Sequence, residues 1–194
     1  MSRPETRYTT VPSPIGDLLL VGDGFHLTGL YLPQHKGGPA IEEDWTRDED
    51  WTSEDETFAL AVSQLRAYFA GELKTFALPL APRGTPFQRS VWQALAEIPY
   101  GSTATYGQLA ARIGNPTAAR AVGLATGRNP LSIVIPCHRA VGTGGALTGY
   151  AGGVERKRQL LALEGVPAGG AQSFAMSPLL LNSPAGASTH ASGQ

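Results

Sequence analysis

One cysteine, Cys137, is all that 194 residues contain. A chain with a single cysteine makes no disulfide within itself, and the Cys or Cys/His clusters that hold structural zinc are missing. No uninterrupted apolar run approaches the roughly 20 residues that cross a bilayer, and Met1-Ser2-Arg3-Pro4-Glu5 lacks the apolar segment of an export signal. These shortages lead us to expect a cytoplasmic protein with no membrane partner and no metal. Acidic residues are scarce in the second half. Residues 81–166 carry 9 basic and 3 acidic side chains, a balance of +6, against 6 basic and 13 acidic in residues 1–80, a balance of −7. Residues 167–194 carry no Asp, Glu, Lys or Arg at all. Every cation of the basic block except Lys157 is arginine. Such a block suits phosphate contact, although charge that only keeps a domain dissolved has the same appearance.

What is present organises into two units and a tail. Ile15 to Val21 and Phe25 to Leu32 read as strands around the hairpin signal Gly22-Asp23-Gly24. Residues 33–52 have no pattern and read as a long loop. Ser53 and Glu56 form a capping-box pair ahead of Phe58, Ala61, Val62, Leu65, Tyr68 and Phe69 at helical spacing, which Gly71 stops. Pro79, Pro82 and Gly84 place a boundary in 71–84, separating an N-terminal α/β domain (1–80) from a second domain (85–166). The fold class is therefore α+β, with the second domain mainly helical. There Thr85-Pro86-Phe87-Gln88 opens one helix, Thr105 with Gln108 opens a shorter one that Gly114 ends, and Asn115-Pro116 opens a third running to about Thr126. Two short helices around a glycine turn read as helix-turn-helix. A last helix covers Val154 to Leu163. The uncharged tail, 167–194, is expected to be disordered.

The cysteine ends the run Ile133-Val134-Ile135-Pro136-Cys137 and precedes His138 and Arg139. Positive neighbours lower a thiol's pKa and favour the reactive thiolate, whereas most lone cysteines are inert core residues. On an extended strand Cys137 and His138 point to opposite faces, so cooperation needs a relay through water or a turn after Pro136. A carboxylate would orient the imidazole, and only Glu97, Glu155 and Glu164 are available in the basic half.

Ile135-Pro136-Cys137-His138-Arg139, with Asn129-Pro130 upstream and Gly149-Tyr150-Ala151-Gly152-Gly153 downstream, closely resembles the O6-alkylguanine-DNA alkyltransferases. The likeness extends through Thr85-Pro86-Phe87-Gln88, Tyr106-Gly107-Gln108-Leu109-Ala110, Gly114-Asn115-Pro116 and Ala118-Ala119-Arg120-Ala121-Val122, so it covers about 85–165 densely. It implies a ribonuclease H-like sheet and helix followed by a winged-helix-like DNA-binding domain. It implies transfer of an alkyl group from O6-alkylguanine, with O4-alkylthymine as a further candidate, to Cys137, once per molecule and without cofactor. His138 becomes the base acting through water, Glu164 its orienting carboxylate, Tyr106 the proton donor to guanine N3 and Asn129 the support beneath the site. Arg120 matches the finger that replaces a flipped base, and Thr105, Ala119, Gly123 and Arg128 flank it on a minor-groove surface. Tyr150 matches a lid, with Pro136, Ala140 and Ala151 lining the guanine pocket. The expected partner is duplex DNA, bound largely without regard to sequence, by a monomer. Ala151 stands where some relatives have serine, and the N-terminal zinc cysteines of some relatives are absent. Two rival readings remain open: a DNA-binding module without chemistry, and a cysteine hydrolase using Cys137 and His138.

Overall fold

A computed structural model describes residues 5–48 and 56–167. The N-terminal unit is a four-stranded sheet in the order β3-β2-β1-β4. β1 (Arg7–Val11) and β3 (Leu27–Tyr31) both run antiparallel to β2 (Leu18–Gly22). The unpatterned stretch 33–52 is not wholly loop: Thr46–Arg47 forms β4, parallel to β1. Two residues are too short to display a period, and their place is set by the exposed edge of β1, where Asp48 N–H donates to Tyr8 O at 2.8 Å and Arg7 pairs with Asp48 at 3.0 Å. Helix α1 (Glu56–Phe69) covers the sheet with Phe58, Ala61, Val62, Leu65 and Tyr68, all buried against Leu18, Leu20, Leu27 and Leu30. The predicted cap Ser53 lies outside the described residues.

The second unit is built on helices whose starts are written in the sequence. Thr85 caps α2 (Pro86–Ala96) and Thr105 caps α3 (Tyr106–Arg112), each through a reciprocal box with the glutamine three residues on. The next helix begins later than its Asn115-Pro116 signal predicts: α4 is Ala119–Thr126, with Ala118 as an uncapped start. Asn115 uses its side-chain oxygen to accept the Thr117 hydroxyl at 3.2 Å, and its carbonyl closes a turn with Ala118 N–H at 3.0 Å. The side chain that should cap the helix is thus spent on the turn before it. Trp92 ties α2 to α4 by donating its indole N–H to Ala125 O at 2.9 Å. A two-stranded parallel pair, β5 (Ala104–Thr105) and β6 (Ala140–Val141), and α5 (Val154–Leu163) complete the unit.

The apolar run before the cysteine is not a strand. Leu131 makes one isolated bridge to Leu30, and Ile133 then takes φ +71°, a conformation that β-branched residues adopt only under constraint from their surroundings. Asn129 supplies that constraint. Its side chain accepts Leu131 N–H at 3.0 Å and donates to Ile135 O at 2.8 Å. Of the tail expected at 167–194, all but Pro167 lies outside the described residues.

The two units share one hydrophobic core. Backbone pairing crosses between them, with Leu30 N–H donating to Pro130 O at 2.7 Å and Ser132 N–H to Leu30 O at 3.0 Å. Lys36 N–H donates to Ala151 O at 2.9 Å, and Leu32 packs against Gly152 so closely that a Cβ there would meet its Cδ1 at 2.3 Å. None of the described helices is long and apolar enough to cross a membrane.

Candidate active site

Pro136, with φ −79° and ψ 64°, centres an inverse γ-turn that Cys137 N–H closes on Ile135 O at 2.7 Å. Cys137–Arg139 then form one 3₁₀ turn. The chain therefore turns after Pro136 and packs Cys137, His138 and Arg139 into a compact, buried knot. All three are buried, Cys137 at 3% exposure and His138 at 0%.

Of the three available carboxylates, two are committed elsewhere: Glu97 pairs with Arg112, and Glu155 with Arg158. Glu164, at the end of α5, faces His138. Its Oε1 accepts His138 Nε2 at 2.7 Å, the Tyr68 hydroxyl at 2.7 Å and an Arg139 guanidinium N–H at 2.9 Å. Its Oε2 accepts Arg139 Nε at 2.8 Å and Gly101 N–H at 3.3 Å. Gly101, at φ +75°, comes so close that a Cβ would sit 3.0 Å from Glu164 O. Burial alone would raise the Glu164 pKa, but hydrogen bonds and charge from His138 and Arg139 hold it at about 2. An ionised carboxylate accepts only, so the His138 proton resides on Nε2. Nδ1 keeps its lone pair, buried and without a partner. Burial lowers the pKa of His138 below its ordinary value, outweighing the pull of Glu164, so the ring is a neutral base at physiological pH.

Burial also pushes the Cys137 thiol up, while the Asn129 amide, the Lys157 ammonium and the Tyr150 hydroxyl beside it pull the other way. Lys157 is one residue that sequence reasoning missed. It is fully buried and donates to the carbonyls of Ala140 and Thr148, and burial brings its pKa down to about 8. The signal was present, since it is the one lysine among the arginines of residues 81–166. Tyr106, half-buried at the start of α3, has its pKa raised by burial, and its hydroxyl faces Thr148 with the thiol nearby. Tyr150 is buried, and its hydroxyl lies near the thiol and Ser132 without a hydrogen-bond partner. Ala140 is fully enclosed, its N–H on Cys137 O and its carbonyl on Lys157. Among the described residues no group of three or more His, Cys, Asp or Glu could hold a metal.

The chain matches two family descriptions in succession: the ribonuclease-like domain of 6-O-methylguanine DNA methyltransferase over residues 6–82, and its DNA-binding domain over residues 86–166. The chain belongs to the 6-O-methylguanine DNA methyltransferase family. Among family members, the methylated-DNA–protein-cysteine methyltransferase of Methanosarcina acetivorans is 54% identical over 158 residues, covering 81% of this chain and 97% of that protein. The protein of that name from Mycobacterium tuberculosis strain H37Rv is 52% identical over 157 residues, covering 81% and 91%. The crystal structure of M. tuberculosis OGT in complex with DNA superposes with a TM-score of 0.74 at 50% identity, covering 84% of this chain and 96% of that one. The α+β fold of a small sheet domain followed by a helical domain is the family's.

The surface expected to meet DNA in this methyltransferase fold lies on α4. Arg120 is exposed, as is Arg128 just beyond the helix, and Leu124, one turn after Arg120, is 65% exposed. Ala119 is half-buried. Gly123 turns toward the Tyr106 ring, where a Cβ would find ring atoms at 3.9 Å. Thr105 serves as the α3 cap. The structure thus gathers Asn129, Lys157, Tyr106 and Tyr150 near the Cys137 thiol and pairs the adjacent His138 with Glu164, while Arg120 is exposed on α4.

Proposed function

We propose that this protein repairs DNA by accepting the alkyl group of O6-alkylguanine, in duplex DNA, on Cys137. DNA repair by alkyl transfer to cysteine is the activity that its family and its relatives' names carry; the residue roles and the substrate are our assignment. The observation that supports it most is the buried Nδ1 of His138, without a partner and one residue along the chain from Cys137, with Nε2 anchored on an ionised Glu164.

In the proposed reaction His138 Nδ1 takes the thiol proton through one water. The sulfur, soft and polarizable, attacks the alkyl carbon. The S–C bond forms as the C–O6 bond breaks, and the electron pair passes into the guanine ring, where the Tyr106 hydroxyl supplies a proton at N3. The sum is thiol plus alkylated base giving thioether plus guanine, with the phenol recovering the proton held on His138. Lys157 stabilises the thiolate before attack. Thioethers do not revert under these conditions, so each molecule acts once. The base must leave the stack to reach a buried sulfur. Arg120 fills the gap, Thr105, Ala119, Gly123 and Arg128 complete the contact with the minor groove, and Tyr150 with Pro136, Ala140 and Ala151 encloses the flipped ring. The protein acts as a monomer in the cytoplasm.

The test is duplex DNA carrying a radiolabelled methyl on guanine O6. Label should appear on Cys137 to one equivalent and stop. Cys137→Ala, folded, should take none. Absence of label from the unsubstituted protein sinks the proposal, and continued turnover would point to the hydrolase.

A further inference from the structure

Tyr68 belongs to the N-terminal unit, yet its hydroxyl ends on the carboxylate of the C-terminal one. It lies in the last turn of α1, fully buried, and donates to Glu164 Oε1 at 2.7 Å, the oxygen that also receives His138 Nε2. Its ring is fixed edge-on by Phe69 at 5.4 Å and Tyr100 at 6.2 Å, and tilted against Phe76 at 5.4 Å. We propose that Tyr68 is a positioning residue for alkyl transfer, tuning through Glu164 the basicity of His138. The inference rests on the assignment of His138 as the base.

A carboxylate oxygen divides its charge among the donors it accepts. Oε1 has three: a cation (Arg139), the imidazole and this phenol. Removing the phenol leaves more charge for the Nε2 proton, and a ring whose Nε2–H is drawn harder is more basic at Nδ1. The other titratable or charged groups facing the pair or Tyr68 are Arg139 from the 3₁₀ turn, Tyr100 from the segment after α2, Lys157 from α5 and Tyr150. None of these is altered by Tyr68→Phe, which keeps the ring and deletes the oxygen. A tyrosine held only for packing would not act on His138 at all. The N-terminal unit is on this view part of the catalytic apparatus.

The experiment is the single-turnover rate of label transfer against pH. A base must be neutral to accept a proton, so a more basic His138 moves the acid limb to higher pH. Tyr68→Phe should move it up by about half a pH unit, with the rate well below the midpoint of the limb lowered about threefold and the rate above pH 8 little changed. Installing 3-fluorotyrosine at position 68 alone, a stronger donor with the same ring, should move the limb down, and it provides the answer if Tyr68→Phe does not fold. Val62→Ala, which loosens α1 in the core away from the Tyr68 ring cluster, should lower the melting temperature without moving the limb. An unmoved limb in both position-68 variants, or an equal shift in Val62→Ala, overturns the inference while leaving the alkyltransferase reading intact. A lack of label in the unsubstituted protein removes both.

Discussion

At the scale of single residues, Glu164 is surrounded by donors: an imidazole N–H, two guanidinium N–H groups, a phenol and a backbone amide. Within that shell only the Tyr68 hydroxyl oxygen, or His138 Nε2 in its other tautomer, can accept a hydrogen bond from an amide; the guanidinium and the backbone N–H cannot. Glu164→Gln would aim an NH2 at N–H groups and leave the Arg139 guanidinium buried without its counter-charge. Breaking a buried pair from one side costs about 3–5 kcal/mol. We expect a loss of that size in urea unfolding, together with label transfer slowed by at least about 100-fold, since His138 loses its orientation. A variant as stable and as fast as the parent would remove Glu164 from the site. The basic half of the sequence holds three carboxylates, and Glu164 is the one that lies on His138 in the structure. Tyr68 could not be chosen so. In the sequence it is one apolar position of an amphipathic helix, and nothing local marks its hydroxyl as bonded 96 residues away.

Among elements, those with local signals were legible. The capping boxes at Thr85 and Thr105 open α2 and α3 where the sequence places them. The β-branched residues of Ile133–Ile135 favour a strand, yet the segment is not one. Its real shape depends on Asn129 and on pairing with Leu30 from the other unit, neither of which a local window contains. Helix α4 presents Arg120 and Leu124, four residues apart and both exposed, on one face. That face lies outside the buried knot, so binding and chemistry should separate. Arg120→Ala leaves the thiol, His138 and Glu164 untouched. It should cut the transfer rate with duplex DNA by about 100-fold, through loss of the group that holds the base extruded, and leave reaction with free O6-alkylguanine within about twofold of the parent. Equal losses on the two substrates would refute the finger role and place Arg120 in the chemistry or the fold.

For the whole molecule, one core runs through both units, and a cluster of ionisable groups, His138, Arg139, Lys157 and Glu164, is buried with it. That arrangement makes stability answer to acid. His138 has its pKa lowered by burial from 6.5. As pH falls through that value, the unfolded chain binds a proton that the folded chain refuses, and stability drops. Glu164 has the opposite charge type but the same consequence. Its pKa is depressed from 4.5 to about 2, so its contribution is complete above 4.5 and is lost as pH falls toward 2. A carboxyl shifted so far contributes about 3 kcal/mol at neutral pH, a large share of the roughly 5–15 kcal/mol that holds a domain together. Urea unfolding at constant ionic strength should therefore show a decline that begins below pH 6.5 and steepens below 4.5. In Glu164→Gln, already less stable, the portion between 4.5 and 2 should flatten while the His138 portion persists. If the parent shows no decline below 4.5, the carboxylate is not held ionised by its partners. His138 would then lack the anchored Nε2 proton that leaves Nδ1 free to act as a base.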